Sequence, residues 1–198
     1  SIGFMMNQLH PDPVRFWYEG KTFADGLLTL RDMFHFDGIL VSLYGHSEKW
    51  KDGLLKEERI CDGQTRLYYQ DRVETHTWED LPLVEYMEES FNVSVDDVNI
   101  DTDIPDKLDY IPVSGNLYFK LNDESLYSIF DYLHEETKGE CSIHGEITSS
   151  FDYFLDKFGY ENGLMSLLIS PEKCKQILQK YTDGVKSIAV GMCHSPID

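Results

Sequence analysis

The sequence is short of positive charge. Seventeen Lys and Arg face 36 Asp and Glu in 198 residues, a formal net charge of −19 at pH 7. So acidic a chain has no basic face with which to displace counterions, which excludes nucleic acid and anionic membrane as electrostatic partners. Long apolar runs are also missing. None approaches the roughly 18 to 20 residues of a membrane span, and no basic stretch leads into an apolar one at the start, so a soluble protein is expected. Cysteine is sparse: Cys61, Cys141, Cys174 and Cys193 form no CxxC pair. A chain of this length needs no disulfide staples, and reduced thiols in a cytoplasm are the expectation. GxGxxG, GxxxxGK[ST] and GxSxG are all absent, which leaves dinucleotide binding, phosphate-loop chemistry and a nucleophile elbow without support. Asp101-Thr102-Asp103 opens like a calcium loop, but Pro105 and Pro112 occupy its fifth and twelfth positions, where a ligand and a glutamate are needed.

What is present is apolar enough to fold. Hydrophobic residues make up 41% and aromatics 13%, too much for an acidic disordered chain. The run Ile2–Met6 reads as a short buried strand that ends in a polar loop. Thr22–Phe34 places Phe23, Leu27, Leu30 and Phe34 on one helix face, and 36–43 reads as a second buried strand. Strand, helix and strand in that order predict a βαβ unit and a parallel sheet. Gln64–Trp78 alternates polar with β-branched and aromatic residues and predicts an exposed antiparallel ribbon. From Glu79 to Asp109, eleven acids face the single base Lys107, so residues 62–110 read as a solvated peripheral insertion. Beyond it, Leu126–Glu136 is helical, 140–147 is a short strand, and Ser150–Phe158 and Gly163–Leu168 are helical. Ser170-Pro171 opens a further helix with Cys174, Ile177, Leu178 and Tyr181 on one face.

The stretch from Cys141 through Ser-Ile-His-Gly-Glu-Ile-Thr-Ser-Ser to Tyr160, then Leu164-Met165 and Ser170-Pro171-Glu172-Lys173-Cys174, resembles the uroporphyrinogen decarboxylase-like superfamily. So does Phe34-His35-Phe36-Asp37-Gly38-Ile39-Leu40-Val41. The two blocks cover somewhat more than half of the chain. The resemblance implies a (β/α)8 TIM barrel, of which residues 1–198 form an N-terminal portion carrying the ribbon and the acidic insertion. It also implies a choice between porphyrinogen decarboxylation and methyl transfer to or from a corrinoid protein. Porphyrinogen decarboxylases have an arginine-rich first loop and an aspartate soon after the second strand. This chain offers only Arg15 in the first place and Leu43-Tyr44-Gly45-His46 in the second. The methyltransferase branch is therefore the expectation, with a corrinoid protein and a small-molecule methyl donor as partners. A non-catalytic binding module is the reading from a different class.

Functional residues of such a barrel sit at the carboxyl ends of its strands. The strand ends nominate Asn7 and Gln8, Tyr44 and His46, and His144, Glu146 and Ser149. Of these, His144 and Glu146 are the expected catalytic pair, because residues two apart share one side of a strand. The others would bind substrate. The family resemblance also implies zinc, yet the sequence holds no His-x-Cys. Cys141 and His144 are three apart and would face opposite sides of a strand, and Cys193-His194 follows a helix. No metal ligand is therefore assigned within these 198 residues, and any family zinc ligands are expected beyond residue 198. An open half-barrel would expose strand edges, so association between copies is expected.

Overall fold

A computed structural model describes residues 2–87, 93–114 and 117–198. It overturns the barrel. Among the described residues the strands form one two-stranded parallel sheet, one four-stranded antiparallel sheet and one further two-stranded sheet. Among them no parallel set of strands curves round a shared axis. The first departure is at the N-terminus, where Ile2–Leu9 is a helix, α1, with Met5 and Met6 buried. Met, Gln and Leu are good helix formers and only Ile2 is β-branched, so a five-residue apolar run was too short to distinguish strand from helix. With that strand gone, the expected βαβ unit is gone as well.

The chain divides into two compact units. The first is made of Ser1–Glu89, Lys120–Glu146 and Ser195–Asp198. In it α2 (Pro13–Tyr18) starts at Asp12, whose carboxylate accepts from the amides of Val14 and Arg15. The helix α3 (Gly20–Phe34) buries Phe23, Ala24, Gly26 and Leu30 and ends at His35, which takes a left-handed conformation. Strand β1 (Gly38–Val41) follows. A meander β2 (Lys56–Cys61), β3 (Gln64–Tyr68), β4 (Arg72–Thr77) and β5 (Leu83–Tyr86) pairs in sequence order. Residues 64–78 thus supply two strands of a sheet that extends by one strand on either side. Val14, Leu67 and Tyr69 form a buried cluster under Tyr18, Trp50 and Leu54, which fastens α2 to the meander.

The second unit is made of Ser90–Phe119 and Ile147–His194. Its acid-rich part contains a short helix, α4 (Ile100–Asp103). This part is not solvated throughout, since Val95, Val98, Ile104 and Leu108 are buried. Strands β6 (Tyr110–Ser114) and β7 (Leu117–Lys120) pair with each other. The first unit resumes with α5 (Ser128–Thr137) and β8 (Ser142–Gly145). The second then closes with α6 (Ser150–Phe158), α7 (Tyr160–Ile169) and α8 (Pro171–Met192). Helix α8 buries Cys174, Ile177, Tyr181, Gly184, Ile188 and Met192 along a single stripe. No helix among the described residues is long and apolar enough to cross a membrane.

Candidate functional site

The parallel pair is β1 with β8, in the register Ile39 to Ile143 and Leu40 to His144. Its two faces differ. Ile39, Val41 and Ile143 are buried, whereas Leu40 and His144 are exposed. Beyond the strands, the Glu146 amide donates to the Val41 carbonyl (2.9 Å), and the chain after β1 turns inward through buried Leu43 and Tyr44. Gly45 has φ +70°, and a Cβ there would lie 2.9 Å from Leu126 Cδ1, so the turn needs glycine. The Asn122 amide donates to the Gly45 carbonyl (2.8 Å), and the Ser125 hydroxyl donates to the His46 carbonyl (2.8 Å). These bonds stitch the loop after β1 to the segment that leads into α5.

Between the two lies a cleft of about 630 Å³. Gly20 and Lys21 at the start of α3, Ser128 and Ile129 at the start of α5, and His46 and Lys49 after β1 all line it. The cleft therefore sits outside the carboxyl end of a parallel strand, where two helix N-termini approach. Open α/β sheets hold ligands at such a place. His46 packs its ring against Phe23, with centroids 5.2 Å apart, and burial pushes its imidazole down to about 3. The ring is thus neutral across the physiological range. Both ring nitrogens are buried, so it shapes the wall of the cleft and is a poor proton carrier at pH 7.

On the rim, the Lys21 ammonium donates to both Asp25 oxygens (2.8 and 3.1 Å) and approaches the Tyr132 hydroxyl at 2.9 Å. Tyr132 donates to Asp25 Oδ1 at 2.6 Å. Hydrogen bonding to Asp25, then to Tyr132, raises Lys21 above its ordinary value. Burial works to raise the Asp25 carboxyl, but the bonds from Lys21 and Tyr132 outweigh it and hold the group below the usual carboxylate range. Lys49, Asp52 and Glu124 add a further ammonium and two carboxylates to the lining. The cleft carries charges of both signs within a strongly acidic chain.

The predicted residues are distributed as follows. His46 lines the cleft. Tyr44, two residues before it, is buried, with its ring stacked on Tyr127 and tilted against Phe130. Burial raises its phenol, and Tyr127 and then the Glu146 carboxylate add to that. His144 lies within β8 rather than after it, exposed, with Nε2 3.0 Å from the Ser142 hydroxyl. Asn7 and Gln8 lie in α1, exposed, and hydrogen-bond each other at 3.3 Å. Ser149 belongs to the second unit, where it caps α6 in a reciprocal box with Asp152. Lys21, Lys49, Ser125, Ser128 and Tyr132 were not anticipated. The i, i+4 pair Lys21 and Asp25 was readable, but its partner Tyr132 lies 107 residues beyond Asp25, and no local pattern announces the wall supplied by 122–132.

A second polar cluster lies in the meander. Glu74 is buried and accepts from the Tyr18 hydroxyl (2.5 Å) and from Arg72 Nε (2.7 Å), and it lies 3.0 Å from His76 Nε2. Burial works to raise its carboxyl, but these partners, His76 foremost, hold it below the usual range. Arg72 in turn lies 4.0 Å over the Tyr69 ring. Both carboxylate oxygens are occupied by protein donors, so this cluster is closed to a ligand.

The zinc that the resemblance implies finds no ligand set among the described residues. Among the described residues no three His, Cys, Asp or Glu side chains are grouped to hold a metal ion. Cys141 is only half-buried and its would-be partner His144 is turned to Ser142. Set against family models, curated proteins and solved structures, the chain matches none.

Proposed function

We propose that the first unit binds a small polar substrate at the carboxyl edge of its parallel strand pair, and that the protein acts in methyl transfer to or from a corrinoid protein. The observation that carries the binding half is the convergence of the α3 start, the α5 start and the loop after β1 on one cleft, with Lys21, Lys49 and neutral His46 in its walls. The resemblance of Cys141–Tyr160 and Phe34–Val41 to the uroporphyrinogen decarboxylase-like superfamily supports the reaction class. The barrel is no part of the reading. In this account Tyr132 orients the substrate, Lys21 and Lys49 neutralise its acidic group, and the neutral His46 ring shapes the wall between them.

One observation favours a binding module without chemistry. His46 stays neutral to about pH 3, which suits recognition better than proton transfer. Saturation-transfer NMR against small carboxylates, amines and thiols, followed by incubation of the binders with methylcobalamin, separates the readings. The methyl-transfer reading expects the visible spectrum of methylcobalamin to change and a methylated binder to be recovered. Recovery of every binder unaltered leaves the binding module, and the absence of any binder ends both.

A further inference from the structure

Helix α7, with the sequence Tyr-Glu-Asn-Gly-Leu-Met-Ser-Leu-Leu-Ile, is apolar enough to belong in an interior, yet of its ten residues only Gly163 is buried. Gly163 is the point of closest approach to α6, where a Cβ would meet Leu155 Cδ2 at 3.1 Å and Phe154 Cε1 at 3.3 Å. The opposite side is open. Tyr160, Leu164, Met165, Leu168 and Ile169 are 74%, 49%, 52%, 82% and 68% exposed. Spaced at i, i+4, i+5, i+8 and i+9, they cover one half of the helix circumference. An apolar helix face this open in a folded chain marks a contact surface.

We propose that α7 is one half of a two-fold interface between two copies of this chain. The size of the patch fits. The five side chains expose roughly 600 Å², so two such faces together remove about 1,200 Å² from water, the lower bound of a stable specific interface. Charge fits as well. The copies repel each other at −19 each, but α7 has Glu161 as its sole charged residue, in its first turn. Antiparallel packing about a two-fold axis carries Glu161 to the far end of the partner helix, where α8 begins with Lys173 and Lys175. There, beside the patch, Leu167, Pro171, Cys174 and Leu178 share with Lys175, Gln179 and Thr182 a hollow of about 320 Å³, half apolar and half polar, that can receive a side chain from the facing copy. The inference does not depend on the cleft in the first unit.

Sedimentation equilibrium on the full chain tests it. The expected mass at about 100 µM protein is twice 23.0 kDa. Association should tighten with added salt, because screening relieves the repulsion between acidic copies. Leu168→Glu combined with Ile169→Glu should weaken dimerisation at least about tenfold, with helix content by circular dichroism unchanged because both side chains are largely in solvent. Leu55→Glu, a substitution of a residue 71% exposed in the first unit, should leave the dimer intact. A wild-type mass of 23.0 kDa overturns the proposal. So does a dimer indifferent to the α7 double substitution, or flotation of monomers with phosphatidylcholine vesicles.

Discussion

Glu74 and Asp25 are built from the same parts: each is a carboxylate held by a tyrosine hydroxyl and a basic side chain. They differ in water. Glu74 lies under α2 with 5% of its side chain exposed, while Asp25 stands on the rim of a cleft with 48% exposed. The comparison teaches that burial, not residue type, decides which polar cluster is structural. A buried carboxylate whose oxygens are all taken holds the meander in register. An exposed one leaves its partners free to exchange with a ligand at little expense to the fold.

The largest expected effect comes from breaking the buried cluster. Glu74→Ala removes the acceptor of the Tyr18 hydroxyl and of Arg72 Nε together with the hydrogen-bond partner of His76, and should destabilise the protein by about 3–5 kcal/mol, read from urea unfolding. Acidification is the next test. His46 titrates near 6.5 when unfolded and about 3 when folded, so the unfolded state takes up the proton first as pH falls. Stability should be full above about pH 6.5 and decline toward pH 3, by about 2–3 kcal/mol at about pH 4.5, and His46→Gln should flatten that slope. Glu74, with its carboxyl depressed in the fold, adds a loss of the same sign at lower pH.

The second unit supplies a case of opposite sign. Burial pushes Asp156 up to about 6 from a model-peptide value of 3.8, so the folded state binds the extra proton and stability falls as pH rises through that window. Asp156→Asn should therefore raise stability at pH 7, by about 1 kcal/mol after allowance for its partial exposure. The smallest effect on stability should come from Asp25→Ala, which leaves the unfolding midpoint within the scatter of repeat measurements. Its consequence should appear in ligand binding, since it frees Lys21 and Tyr132 from their shared partner.

Much of the helical structure was legible because helices advertise their ends locally. Ser170-Pro171 marks a start, and the apolar spacing of α3, α5 and α8 marks a face, whereas α2 was missed because Asp12-Pro13 reads equally well as the end of a loop. The strands β1 and β8 were readable as short apolar runs. Their pairing with each other was not, because the partners are 104 residues apart, as Gly38 with Ser142, and nothing local selects one partner over another. The barrel failed at that step. It required α1 to be a strand and the remaining parallel strands to find neighbours, whereas the described residues contain a single parallel pair. Glu74 was invisible for a related reason: Leu67 is its neighbour in register across β3 and β4, but the donor from Tyr18 arrives from 56 residues upstream. Of the cleft lining, His46 was within reach of strand-end reasoning. The lysines and the α5 wall depend on tertiary contacts alone.

The most direct test of the cleft is to fill it. Ser128 is exposed at the start of α5 and lines one wall, so Ser128→Trp should occupy the space while leaving the core intact. Saturation-transfer NMR with a small ligand that binds the wild-type protein should lose its signal in this variant, at unchanged unfolding midpoint. Undiminished binding to Ser128→Trp would contradict the assignment of the cleft as the functional site.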